Sequence, residues 1–150
     1  MLHLFFFNIR KPLQILVLKL LQILFIEGYQ IMNLINIIKL ANGHVLTEDL
    51  DINIEISGAY GADLMSDVLA ASQSDAVLLT GLTNPQVVRT AQMADFRAII
   101  FVRGKQPQAE TLLLAKQENI PLITSSFGMF ELCGRLHKAG LPSFESNEPN

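Results

Sequence analysis

From Met32 onward, apolar runs of four to six residues alternate with helix-period segments of about ten, and this rhythm admits few folds. The runs fall at 52–56, 76–80, 98–102 and 121–124. Between them, Leu64, Met65, Val68 and Leu69 form one helical face, as do Val87, Val88, Ala91 and Met93, and then Leu112, Leu113 and Leu114. Short buried strands joined by helices are βαβ units. Each crossover helix returns the chain to the same sheet edge, so the strands must run parallel. The fold class is therefore α/β.

Punctuation residues support this reading. A first helix is expected over 32–41, with Leu34, Ile37, Ile38 and Ala41 at helical spacing and Asn42-Gly43 as its stop. A brief apolar run at 44–46 follows. Alternating Ile52, Ile54 and Ile56 mark a strand that ends at a Ser57-Gly58 turn. Asn84-Pro85 reads as a helix start with proline at the first position, Gly104 and Pro107 open the next helix, and Ser125 or Ser126 caps a last one that ends before Gly140. Residues 142–150 (PSFESNEPN) lack periodicity and are expected to be disordered.

Residues 1–31 are of another kind. They carry Arg10, Lys11 and Lys19 against Glu27, a net charge of +2, whereas the remainder has eight basic and thirteen acidic residues, a net of −5. The longest uninterrupted apolar candidate, 13–26, is fourteen residues and contains Lys19, short of the roughly 20 that a spanning helix needs. The order of charge and apolar stretch does not fit a secretory signal. Three readings remain: a non-native extension from an early start codon with Met32 as the true start, an amphipathic surface anchor, or a partly inserted segment. A membrane partner is expected only if this segment is native.

Composition narrows the function classes. The net charge of −3 gives no general attraction for a nucleic-acid backbone. A single cysteine, Cys133, excludes an internal disulfide and fits a cytoplasmic location. No Walker loop or Gly-x-Gly-x-x-Gly fingerprint is present, so neither nucleotide cofactor motif predicts a cofactor. His3, His44 and His137 stand singly, without metal-ligand spacing. No catalytic residues and no metal site are expected. Asp63 and Asp67, four apart on a predicted helix, would suit a divalent cation in an enzyme, although acids near a helix N-terminus are also ordinary dipole chemistry.

The most informative features are the turns expected at strand C-terminal ends: Ser57-Gly58, Thr80-Gly81, Gly104, and Thr124-Ser125-Ser126. In an open parallel sheet these ends share one edge, where amides and hydroxyls can receive an anion. Arg103 and Lys105 would stand at its rim. A phosphate-bearing ligand is the expected guest.

The segment ISGAYGADLMSDVLA at 56–70, with Ser57, Gly58, Tyr60, Asp63, Ser66 and Asp67, resembles the opening signature of the DRTGG domain family. The segment FVRGKQPQAETLLLAKQENIPLITSSFGMFELCGRL at 101–136 resembles its closing half, through Gly104, Pro107, Ile120, Pro121, Phe130 and Glu131. The Asp-Arg-Thr-Gly-Gly letters themselves are absent. Thr80-Gly81-Leu82-Thr83 and Arg103-Gly104 stand at the corresponding turns. The resemblance spans 32–141 and extends to the N-terminal part of HPr kinase/phosphorylase. It implies a three-layer α/β sandwich with a mostly parallel sheet, acting as a stand-alone, non-catalytic regulatory or sensing module. It also implies self-association into a homodimer and adds Tyr60 and Asp63 to the ligand-binding set. The alternatives are a protein-interaction or scaffold subunit without a small ligand and, further off, a metal-assisted enzyme using Asp63 and Asp67. Self-association is expected through the apolar residues of helix 84–95 and of the last helix, which carries Met129, Phe130, Leu132 and Cys133.

Overall fold

The computed structural model describes residues 11–26, 30–71 and 74–145. In chain order the elements are α1 (Lys11–Ile26), β1 (Met32–Asn33), α2 (Leu34–Leu40), β2 (Gly43–Val45), β3 (Glu55–Ile56), β4 (Gly58–Gly61) and α3 (Met65–Ala71). They continue with β5 (Ala76–Thr80), α4 (Pro85–Met93), β6 (Phe96–Phe101), α5 (Ala109–Gln117), β7 (Leu122–Ser125) and α6 (Met129–Lys138). The main sheet has the order β2-β7-β6-β5-β4. Its last four strands are parallel, and β2 joins β7 antiparallel.

Period-two alternation along β5 and β6 divides the core into two. Val77, Leu79, Ala98, Ile100 and Val102 face Leu34, Ile37, Leu132 and Leu136 of α2 and α6. Ala76, Leu78, Ile99 and Phe101 face Val68, Val87, Val88 and Ala115 of α3, α4 and α5. Both faces of the central strands are covered, which is why those strands read as unbroken apolar runs. The fold is the expected α/β sandwich.

Four local expectations are corrected. The alternation at 52–56 yields only β3, which pairs antiparallel with β1 in a separate two-stranded sheet. The edge strand beside β5 is β4, a segment expected in part as a turn. Helix α3 begins at Met65, leaving Asp63 ahead of it. Helix α6 is capped by Gly128 rather than by Ser125 or Ser126, because Ser125 is the last residue of β7.

Part of the segment expected to be disordered is placed. Ala59 N–H donates to the Pro142 carbonyl at 2.9 Å, Phe144 N–H donates to the Ala59 carbonyl at 2.9 Å, and Gly61 N–H donates to Glu145 Oε1 at 2.5 Å. Residues 142–145 thus cover the outer edge of β4 and satisfy amides that an edge strand would otherwise expose. A Cβ on Gly58 would come within 2.5 Å of the Phe144 ring, so any other residue there would have to push that ring aside. Residues 146–150 lie outside the described residues, as do residues 1–10 and 27–29, on which part of the N-terminal readings falls.

Helix α1 exposes Leu13, Ile15, Leu16, Leu18 and Leu20, each at least half open to solvent, and among the described residues the first buried core side chain is Leu34. Among the described residues no helix is long and apolar enough to cross a membrane. Among the described residues, deleting 1–31 removes no buried core side chain. The shortened chain is therefore expected to keep the circular dichroism of the full chain and to melt within about 3 °C of it. A larger fall in midpoint would show that the segment carries structure the domain needs.

Candidate anion site at the strand ends

The sheet edge at the C-terminal ends of β5, β6 and β7 collects most of the residues singled out in the sequence. Thr80 ends β5 and is fully buried. Its hydroxyl donates to Asp63 Oδ1 at 2.9 Å, and the Gly81 amide donates to the same oxygen at 2.7 Å. Lys105 Nζ donates to the Gly81 carbonyl at 2.8 Å. A Cβ on Gly81 would lie 3.0 Å from an Arg103 guanidinium nitrogen and 3.4 Å from both Asp63 Oδ2 and Lys105 Nζ. Two cations, one carboxylate, one hydroxyl and one amide thus gather around a residue that has no side chain.

The turn carrying the cations is strained and firmly held. Five described residues other than glycine adopt positive φ, and four of them are Asn or Asp, which tolerate that region. Arg103, at φ 57°, is the exception, and Gly104 follows at φ 64°. The turn is fixed by Arg103 N–H to the Phe127 carbonyl at 2.8 Å, Gly104 N–H to the Ser125 carbonyl at 2.7 Å, and Lys105 N–H to the Val102 carbonyl at 3.2 Å. The Thr124 hydroxyl donates to the Lys105 carbonyl at 2.9 Å. Left-handed backbone at an arginine costs on the order of 1–2 kcal/mol and persists only where the surroundings impose it. What it achieves here is to carry the guanidinium to Gly81, where it forms no ion pair or hydrogen bond among the described residues.

The other sequence candidates are divided. Ser126 is exposed beside this edge. Ser125 is fully buried and spends its hydroxyl on the Ala41 carbonyl at 2.6 Å while accepting from Phe127 N–H at 3.2 Å, so it ties β7 to α2. Ser57 and Gly58 do not reach the edge. Gly58 begins β4 and Ser57 precedes it, the Ser57 hydroxyl donating to the Ser74 and Asp75 carbonyls at 3.0 and 3.1 Å, at the strand entrances on the opposite side. The expected convergence of Ser57-Gly58 with Gly104 and Thr124-Ser125-Ser126 is therefore corrected at Ser57-Gly58. Its cause was reading the start of a strand as the end of one. Tyr60 lies within β4, its hydroxyl 3.4 Å from the Asp67 carbonyl and its ring tilted against Phe96 at 6.3 Å. Burial pushes the Tyr60 phenol up, and the charges of Asp67 and Glu145 add to the shift.

Asp63 and Asp67 do not act as a pair on one helix face. Asp63 precedes α3 and turns toward Gly81, while Asp67 sits in the first turn of α3. Among the described residues no group of three or more His, Cys, Asp or Glu side chains is arranged to hold a metal.

A second concavity, of about 320 Å³, runs between α6, β4 and the strap, lined in part by Ala59, Leu79, Cys133, His137 and Leu141. Phe130 stands at its rim, 94% exposed. Burial pushes the Cys133 thiol up and Glu145 adds to this, so the sulfur is held as the protonated thiol at neutral pH. Sequence reasoning missed this groove because it discounted the tail. Phe144, an aromatic residue in an otherwise polar stretch, was the available signal.

No family model matches the chain, and no curated protein matches it. A structure of the CBS and DRTGG domains from the regulatory region of Clostridium perfringens pyrophosphatase, complexed with the activator diadenosine tetraphosphate, is similar to it. The TM-score is 0.56 and the identity 22%, over 73% of this chain and 47% of that one. Over the matched residues this chain shares a fold with part of that regulatory region. It spans about half the length of the structure it matches.

Proposed function

We propose that this chain is a non-catalytic regulatory module of the DRTGG type, cytoplasmic and homodimeric, that binds a small phosphate-bearing ligand or nucleotide at the Gly81 edge. The observation that carries the reading is the convergence of the Gly81 amide, Arg103 and Lys105 on one spot, with Arg103 brought there by strained backbone. Two cations beside an amide favour phosphate, since charge-assisted bonds to arginine are about twice as strong as neutral ones. The similar pyrophosphatase region, crystallised with a nucleotide activator, supports a regulatory ligand-binding role. Calorimetry of the full chain against phosphate, pyrophosphate and a nucleotide panel tests the reading. Heat from at least one of these, lost when Arg103 is replaced, is the expected result. No heat from any of them in wild type overturns it.

A scaffold role without a small ligand is favoured by a different observation, the nearly bare Phe130 beside an apolar groove. An aromatic ring so exposed is characteristic of an interface residue. In the homodimer we place Phe130 at the contact, together with the exposed Met93 of α4 as the second candidate. Phe130→Glu is then expected to convert a dimer to a folded monomer in sedimentation at micromolar concentration, with circular dichroism unchanged because the side chain supports no core, and with the melting midpoint lowered only by the lost linkage to the partner subunit. A wild-type chain that sediments as a monomer would remove the dimer from the proposal.

A further inference from the structure

Asp63 stands where an incoming anion would stand. Its Oδ1 takes the Thr80 hydroxyl and the Gly81 amide, the two neutral donors of the site, and its Oδ2 lies on the side of Gly81 that Arg103 and Lys105 approach. No ion pair joins Asp63 to either cation. The carboxylate thus occupies the neutral donors while the positive groups remain available beside it. From this geometry we infer that Asp63 is an internal competitor that restrains the site, rather than a contact that helps hold the ligand. The inference rests on the phosphate-site reading given above and concerns how that site is regulated.

The argument holds for either mode of entry. A phosphate oxygen that seeks the Gly81 amide must first displace Asp63 Oδ1, because an amide hydrogen satisfies one strong acceptor at a time. A phosphate that stays on Arg103 and Lys105 meets the carboxylate's negative charge at close range. In both cases the charge on Asp63 opposes binding. Asp63 is exposed and lies in the short link between β4 and α3, so its side chain can leave without disturbing the core. A ligand strong enough to expel it would release that link from Gly81 and couple occupancy of the site to the position of α3.

The test is titration of the full chain with inorganic pyrophosphate by calorimetry, comparing wild type with Asp63→Asn and Asp63→Ala. Asparagine keeps an acceptor for Thr80 and Gly81 while removing the charge, and alanine removes both. Circular dichroism confirms that each variant is folded. Both variants are expected to bind pyrophosphate about 5- to 10-fold more tightly than wild type, the scale of removing one like charge from a solvent-exposed site. Binding that appears only in the variants gives the same support. Affinity that is unchanged or weaker in both variants overturns the inference, yet leaves the phosphate site standing if Arg103→Ala still weakens wild-type binding. Absence of pyrophosphate heat in all three proteins overturns the inference, and the phosphate-site reading falls with it only when phosphate and the nucleotide panel give no heat either.

Discussion

Replacing Phe101 with alanine is expected to destabilise the domain by about 3–5 kcal/mol, the range for removing a fully buried aromatic ring. Phe101 ends β6, flanked by β5 and β7, with no solvent exposure. Its ring belongs to the cluster formed with Val87, Val88 and Ala115, so truncation opens a cavity under both α4 and α5. These helices are anchored to a sheet and cannot readily move inward to close the void, because interiors are packed as densely as organic crystals. A single domain has about 5–15 kcal/mol in total, so the loss is a large share of what exists. The melting temperature should fall by roughly 10–25 °C. Phe101→Leu should recover most of the difference, since it keeps most of the apolar volume. Urea melts of the three proteins decide the matter, and a loss below about 1 kcal/mol for the alanine variant would show that the packing around β6 is looser than described.

Arg103→Ala is expected to have the largest effect on binding and almost none on stability. The guanidinium forms no ion pair or hydrogen bond within the described residues, so its removal deprives the fold of no partner. A hydrogen bond to a charged group contributes about 1.5–3 kcal/mol, so phosphate affinity should fall about 10- to 100-fold while the melting midpoint moves little. Arg103→Lys should restore only part of the affinity, because an ammonium cannot hold two oxygens in a plane. Arg103→Gly separates the two roles of this residue. It relieves the left-handed backbone and should stabilise the turn, yet it removes the charge and should bind as poorly as the alanine variant. A ligand whose affinity is indifferent to all three substitutions would place its site elsewhere on the molecule.

These two experiments probe parts of the molecule that were unequally visible in the sequence. Phe101 falls at the end of an apolar run whose length and flanking turns already mark a buried strand. Arg103 was expected at the rim from its place after that strand, but its conformation was not. Nothing in the letters Arg-Gly-Lys states that the arginine, and not the glycine alone, takes the left-handed region. That outcome follows from the bonds to Ser125, at the end of β7, and to Phe127, just past it.

Local periodicity sufficed wherever a segment's own side chains decide how it is buried. The alternation of apolar runs with helical faces determined the α/β class, the parallel strands β5, β6 and β7, and the helices between them, because each such segment must hide one face whatever its neighbours are. Three features depended instead on partners far away in sequence, and only the tertiary structure decided them. Gly58–Gly61 is a strand because β5 on one side and residues 142–145 on the other take its backbone groups, and a four-residue stretch with two glycines has no apolar pattern to announce this. Ser57 lies at the entrance edge because β4 begins there, so a turn-like pair of letters was assigned to the wrong end of the sheet. Asp63 turns inward because the buried Thr80 hydroxyl and the Gly81 amide need an acceptor, a demand set by burial across 17 and 18 residues of chain that no local spacing encodes.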